Sequence, residues 1–157
     1  MGDAGVPVLR TARLALTPAV AADVPDLVRH YRDPAVRRFL WDGVEVDRAA
    51  VAEAVRAAGE ARPGLGLWVI REHADAPLHG SCGLRTNGDE VELVVSLDPG
   101  RWGRGWATEA ARAVIDHAAA QGVRQVAGYV DEGNEASARL LRRLGARGGP
   151  HRWILTF

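Results

Sequence analysis

Residues 96–110 read Ser96-Leu97-Asp98-Pro99-Gly100-Arg101-Trp102-Gly103-Arg104-Gly105-Trp106-Ala107-Thr108-Glu109-Ala110. An apolar strand runs into a turn with two closely spaced glycines, and the turn opens directly into a helix. Ala107, Ala110, Ala111, Val114, Ile115 and Ala118 then follow at i, i+3, i+4, i+7, i+8 and i+11, the spacing of an apolar stripe facing a core. Such a turn presents backbone N–H groups at the positive end of the helix dipole, so it can hold a phosphate or diphosphate without a lysine. Gly103 and Gly105 let the backbone approach a ligand closely, and Ala107 keeps the next position small. A glycine-rich turn with no ligand fits the glycine spacing equally well. Neither nucleotide fingerprint fits: a Walker A loop needs Gly-Lys-Ser/Thr, and the dinucleotide pattern needs a third glycine where this chain has Thr108.

Outward from this stretch the pattern is mixed. Alternation over residues 9–16 predicts a first strand that stops at Pro18. Val24, Leu27, Val28 and Tyr31 predict a helix over 23–31, broken at Asp33-Pro34, with a further helical turn through Val36, Phe39 and Leu40. Asp47 is a candidate cap for a helix over 48–61, ended by Arg62-Pro63-Gly64. Strands are expected over 67–71, 79–84 and 91–97, the last two joined by the turn Thr86-Asn87-Gly88-Asp89. After the long helix come a strand over 123–130, a helix over 135–144 closed by Gly145, and a strand over 153–157. The order β, α, α, β, β, β, α, β, α, β predicts a single α+β domain over 1–157, with a mixed sheet rather than a plain alternation of strands and helices.

Composition narrows the chemistry. A chain of 157 residues, 47% hydrophobic and 25% charged, can bury about 70% of its unfolded surface in one core without a metal or disulfide. Twenty acidic residues balance twenty basic ones, which argues against a general nucleic-acid or membrane-surface binder. Every basic residue is arginine, so Schiff-base, lysine-base and P-loop chemistries are excluded. Cys82 is the one cysteine, and no Cys/His cluster has zinc spacing, so a metal-free site in a reducing compartment is expected. No apolar run reaches membrane-span length, and residues 1–10 carry no leader pattern. The expected location is cytoplasmic.

The segment from Asp98 to Ala110 resembles the acetyl-CoA diphosphate loop of the GCN5-related N-acetyltransferases, the GNAT family, in the branch of the ribosomal-protein N-terminal acetyltransferases RimJ and RimL. The last two marks of the family loop fall on Gly105 and Ala107. Trp102 stands where the general pattern has Gln or Arg, but Trp-Gly-x-Gly-x-Ala-Thr-Glu-Ala is similar to the branch form. Thr11-Ala12-Arg13-Leu14 resembles the opening Thr-Glu-Arg-Leu strand, and Asn134 with Ser137, followed by Leu144-Gly145, resembles the family's last conserved element. The resemblance covers nearly the whole chain in order.

It implies a mostly antiparallel mixed sheet with helices on both faces, and two parallel strands splayed after a bulge, here within Val91 to Leu97 and opposite Val126 to Val130. It implies acetyl-CoA as co-substrate, no metal, and a primary amine as acceptor, either a protein N-terminus or a small molecule. The diphosphate would rest on Gly103, Arg104, Gly105, Trp106, Ala107 and Thr108, with Asn134 on the other side. The pantetheine arm would pair with Val95, Ser96 and Leu97, and an N–H near Val95 would polarise the thioester carbonyl. Trp102 would pack under the loop and Trp106 cover the coenzyme, and Arg139, Arg142 and Arg143 are candidates for the 3′-phosphate. Glu92, alternating away from Val91, Leu93 and Val95, is the candidate base. The tyrosine acid of many relatives corresponds to Leu141, which leaves Ser137 as a partner for the sulfur and Tyr129 as a second acid candidate. Each also has a structural reading: an inter-strand charge for Glu92, helix capping around Asn134 and Ser137, packing for Tyr129, and the start of a helix for Glu109. His79, His117 and His151 have no partner in sequence that fixes a triad, and His117 is expected to face water. Partners are acetyl-CoA and the amine, with neither nucleic acid nor membrane, and a homodimer is allowed. Leu141, and Val94-Val95 where the branch often has Gly-Tyr, keep a non-catalytic acyl-CoA-binding or sensor module as the alternative.

Overall fold

The computed structural model describes residues 5–40 and 43–157, so the leader reading of residues 1–10 lies partly outside them. Among these residues eight strands form one sheet in the order β1-β2-β3-β4-β5-β6-β8-β7. They are β1 (Leu9–Arg10), β2 (Ala15–Pro18), β3 (Gly66–Arg71), β4 (Gly80–Asn87), β5 (Glu90–Leu97), β6 (Gln125–Tyr129), β7 (Arg147–Gly148) and β8 (Arg152–Thr156). The helices are α1 (Val24–Arg32), α2 (Pro34–Arg37), α3 (Arg48–Gly59), α4 (Trp106–Ala120) and α5 (Glu135–Leu144). All pairings are antiparallel except β5 with β6.

The two faces are set by period-two alternation in the strands. Trp68, Ile70, Cys82, Leu84 and Leu93 point towards the apolar stripes of α4 and α5, where Ala110, Val114, Ala118, Leu141 and Leu144 meet them. Val69 and Leu78 point the other way, to Leu27, Tyr31, Val51 and Val55 of α1 and α3. Asp47 caps α3 by accepting from the Ala50 N–H at 2.7 Å. Gly145 closes α5 at φ +91°, a left-handed conformation that favours glycine.

Two expectations need correction. The first strand is a tight hairpin, because Thr11 Oγ1 accepts from the Leu14 N–H at 2.9 Å and turns the chain between β1 and β2. The expected bulge in β5 is also missing. The β4–β5 ladder runs unbroken from Gly80↔Leu97 to Asn87↔Glu90, and the splay arises instead from β6, which is paired along its length with β8 and meets β5 at a single register pair, Glu92↔Ala127. The two halves of the sheet then follow their own twist apart.

Gly80 is the tightest point beneath the last turn of β5. A Cβ there would overlap the Ser96 carbonyl oxygen and lie 2.9 Å from Leu97 Cα, with only backbone in the way. Gly80→Ala is therefore expected to destabilise the fold by about 1–3 kcal/mol, read as a lower melting temperature. An unchanged melt would contradict this packing.

Candidate functional site

The turn after β5 is held from below by a distant hairpin. Glu109, in the first turn of α4, accepts from Thr11 Oγ1 at 2.5 Å, from the Arg13 N–H at 3.2 Å and from Arg13 Nε at 2.9 Å. Arg13 also donates from Nη1 to the Arg104 carbonyl at 2.9 Å, so one guanidinium spans the helix and the loop. Burial pushes the Glu109 carboxyl up, but the hydrogen bonds from Thr11 and Arg13 outweigh it, and its pKa is lowered. Glu109 thus stays ionised and turned under the loop, away from whatever the loop binds.

Above this clamp, Gly103 and Gly105 take φ of +76° and +79°, a region that costs other residues roughly 1–2 kcal/mol. A Cβ at Gly103 would meet nothing within 4 Å, so that side of the loop is open. No side chain caps α4 at Gly105, and the Glu109 N–H bonds the Gly105 carbonyl at 3.1 Å. The N–H groups of Trp106, Ala107 and Thr108 precede that bond and lie outside the helical ladder. The two tryptophans differ from expectation in burial. Trp106 is only 6% exposed and joins the core, with its ring 5.8 Å from that of His79 and 5.3 Å from the Arg101 guanidinium. Trp102 is 52% exposed, its indole N–H bonded to the Leu97 carbonyl at 2.8 Å. The reason is the helix phase: Trp106 falls one turn before Ala110 on the buried stripe.

Between β5 and β6 the sheet opens beyond Glu92↔Ala127. Val95, Ser96 and Leu97 therefore have β4 on one side and no strand partner on the other, an edge able to pair with an extended ligand. The open wedge leads from this edge to the glycine turn.

Glu92 is 9% exposed and is met by Arg85 Nε at 3.2 Å and Asn87 Nδ2 at 3.4 Å. Because Glu92 registers with Ala127, the side chains of Glu90, Glu92 and Tyr129 project from the same face. Tyr129 is exposed, and its hydroxyl donates to Glu90, which also takes Arg152. The bond to Glu90 is the main cause that raises its pKa. Ser137 is half-buried, and its N–H donates to Asn134 Oδ1 at 3.2 Å in the cap of α5. Leu141 is buried, packed so closely that a Cβ on Gly128 would lie 2.5 Å from its Cδ2. Arg142 stacks over Trp153, and Arg143 supplies a carbonyl to Arg112. His117, expected in water, rests half-buried with its ring edge-on to Trp68 at 5.7 Å.

Sequence reasoning missed a buried polar chain behind β5. His30 Nδ1 lies 2.6 Å from Asp98 Oδ1 and its Nε2 lies 2.9 Å from Ser96 Oγ; Ser96 Oγ is 3.1 Å from Ser81 Oγ, which is 2.7 Å from the Tyr31 hydroxyl. A carboxylate only accepts, so Nδ1 carries the proton and Nε2 accepts from Ser96. The signal was present: His30 is the polar member of the Leu27–Tyr31 stripe, three residues after Leu27. Among the described residues no group of three or more His, Cys, Asp or Glu could hold a metal ion, and no helix is long and apolar enough to cross a membrane.

Residues 13–147 match the model of the acetyltransferase (GNAT) domain. An acetyltransferase from Agrobacterium tumefaciens strain C58 shares 26% identity at TM-score 0.80, over 97% of this chain and 94% of that one. A GNAT-family acetyltransferase from Bacillus anthracis has the same fold at 14% identity and TM-score 0.80, over 96% and 98% of the two chains. The yncA protein of Salmonella typhimurium, a putative acetyltransferase solved with its cofactor acetyl-CoA, superposes at TM-score 0.72 and 19% identity over 92% and 94%. The uncharacterized protein YkkB of Bacillus subtilis is 32% identical over 89 residues, 52% of this chain, and the match spans about half of YkkB's own length.

The His30 chain makes stability depend on pH. Burial lowers its pKa and outweighs the neighbouring Asp98, so the unfolded chain takes up the proton first as pH falls. The contribution is complete above the ordinary imidazole value of about 6.5 and is lost progressively below it. His30→Gln is expected to lower stability at pH 8 by about 1–3 kcal/mol, and to flatten the loss between about pH 7 and 5.5. His79 and His117, also lowered by burial, supply the remainder. Denaturant melts at each pH check this; an equal acid loss in both proteins would contradict it.

Proposed function

The chain belongs to the GNAT acetyltransferase family, and on that premise we propose that it is an acetyl-CoA-dependent N-acetyltransferase of the RimJ/RimL-like kind acting on a primary amine. The observation that carries the reading is the wedge between β5 and β6, which ends at an amide-rich turn with two left-handed glycines. The site fits the coenzyme on two counts: space beside Gly103 for a diphosphate, and a β5 edge without a strand partner, its Leu97 carbonyl already held by the Trp102 indole, for an extended amide-bearing arm. The branch assignment is supported by Trp102 to Ala110 and by the meeting of Thr11 and Arg13 with Glu109, which joins two separate family-like segments in space.

Acetyl-CoA supplies an activated acetyl thioester. The N–H groups from Gly103 to Thr108 neutralise its diphosphate at the helix dipole, and Asn134, the cap of α5, is the proposed contact on the other side. Val95, Ser96 and Leu97 align the pantetheine arm, and a backbone N–H near Val95 stabilises charge on the thioester oxygen. As the amine nitrogen bonds to the acetyl carbon, the C–S bond breaks and its electron pair leaves on sulfur. Glu92 takes the amine's proton. Ser137 donates a hydrogen bond to the departing thiolate, and Tyr129 is the second donor proposed on the acceptor face.

Two measurements test this. Acetyl-CoA at a hundredfold excess over its Kd is expected to stabilise the protein by about 2.7 kcal/mol; Gly103→Glu, which puts a like charge into the open space beside the turn, should abolish that shift while the unliganded protein keeps its secondary structure. Retained stabilisation would refute the loop assignment. Glu92→Gln is expected to lower kcat by roughly 10²–10⁴-fold with KM for acetyl-CoA little changed, measured by CoA release with an amine panel. Coenzyme binding without turnover by the wild-type protein would refute the catalytic half of the proposal.

A further inference from the structure

On the face of the sheet covered by α1 and α3 lies a cavity of about 690 Å³, lined by Val94 and by Arg85, which pairs with Glu92 across the ladder. Its volume is in the range of small-molecule sites. The floor is Gly83, paired with Leu67 on one side and Val94 on the other. The roof is the alanine-rich side of α3, with Ala54 and Ala58 facing it, and Tyr31 and Leu40 stand at its flank. The wall is mainly apolar, and among the described residues its charged members are Arg62 and Arg85.

Charge is the observation that selects an occupant. An amine that enters a cavity whose charged groups are both cationic is repelled unless it carries an anion of its own. Glu92, directly across the ladder from Arg85, is joined to it through Nε at 3.2 Å. A zwitterion matches this pair end for end: its ammonium goes to Glu92 and its carboxylate to Arg85. A guanidinium has five N–H donors in a planar fork, enough to hold a second carboxylate while keeping the first. The remaining space is apolar and suits a bulky side chain.

Resting on the acetyltransferase reading above, we infer that this cavity is the acceptor subsite and that the acceptor is a free α-amino acid with a large apolar side chain, aromatic or branched. Its side chain lies over Gly83 beneath Ala54 and Ala58, Arg85 holds the carboxylate, and the amine stands beside Glu92 at the mouth of the wedge. Polyamines and aminoglycosides, which bring only positive charge, are turned away by Arg62 and Arg85. The step acetylates the α-amine. The ammonium first gives one proton to Glu92, which frees the nitrogen lone pair. The N–C bond then forms, the thioester C–S bond breaks with its electron pair on sulfur, and the second N–H proton goes to the leaving sulfur, so CoA departs as the thiol.

The test compares kcat/KM for L-phenylalanine and L-leucine with 2-phenylethylamine, L-phenylalanine amide, L-alanine and spermidine, while acetyl-CoA binding is followed separately by thermal shift. The expected result is at least a tenfold preference for the two bulky amino acids over every other amine, because a site built to bind a carboxylate rejects analogues without it. Arg85→Gln should erase the preference of L-phenylalanine over its amide. Ala58→Leu should lower kcat/KM for L-phenylalanine by tenfold or more relative to L-alanine, with acetyl-CoA stabilisation retained in both variants. Equal or better turnover of the amide, phenylethylamine or spermidine, with coenzyme binding intact, overturns the acceptor assignment alone. Absence of acetyl-CoA stabilisation in the wild-type protein overturns the acetyltransferase reading, and this inference with it.

Discussion

One carboxylate, Glu109, decides where the glycine turn stands. It is the point at which the first hairpin, the start of α4 and, through Arg13, the Arg104 carbonyl are joined. Without those donors a carboxylate in the first helical turn would be free to swing towards the open amides and compete with an anion. With them it supports the loop from beneath and leaves the N–H side open. A hydrogen bond to an ionised group is worth about 1.5–3 kcal/mol, enough to matter against the cost of two left-handed backbone positions.

The rest of the site follows from how the sheet divides. β5 keeps its whole ladder with β4, and β6 keeps its whole ladder with β8, so the single contact at Glu92↔Ala127 is the vertex of the wedge. The coenzyme reading uses the open side of that vertex. The acceptor reading uses the α1–α3 face, where Val94, Arg85 and Gly83 project, and Glu92 stands at the junction of the two. Behind it the Asp98–His30–Ser96–Ser81–Tyr31 chain ties the end of β5 to α1, which holds the pairing edge rigid between two bonded neighbours.

Local signals carried much of this. The α4 stripe, the Asp47 cap and the left-handed Gly145 all appear where spacing and residue type placed them, because each is decided within one or two helical turns. The features that were illegible depend on distant partners. The anchoring of the first hairpin beneath the loop needs Thr11 to meet Glu109, and the placement of Trp102 and Trp106 needs the phase of α4 against the core. The missing bulge needs knowledge of how β6 pairs. Among the candidate site residues, the glycine turn was legible from its own composition. The Glu92–Arg85 pair joins residues seven apart across a hairpin and was illegible because the loop is Gly88-Asp89, not Asn87-Gly88, which shifts the expected register, whereas His30 was legible from its place three residues after Leu27 on the buried stripe of α1.

The most direct measurement is a crystal structure with coenzyme A bound. The account predicts diphosphate oxygens about 3 Å from the N–H nitrogens between Gly103 and Thr108, with the pantetheine arm laid along Val95 to Leu97 and Glu109 still bonded to Arg13. A diphosphate seated elsewhere, or a wedge closed against the arm, would contradict it.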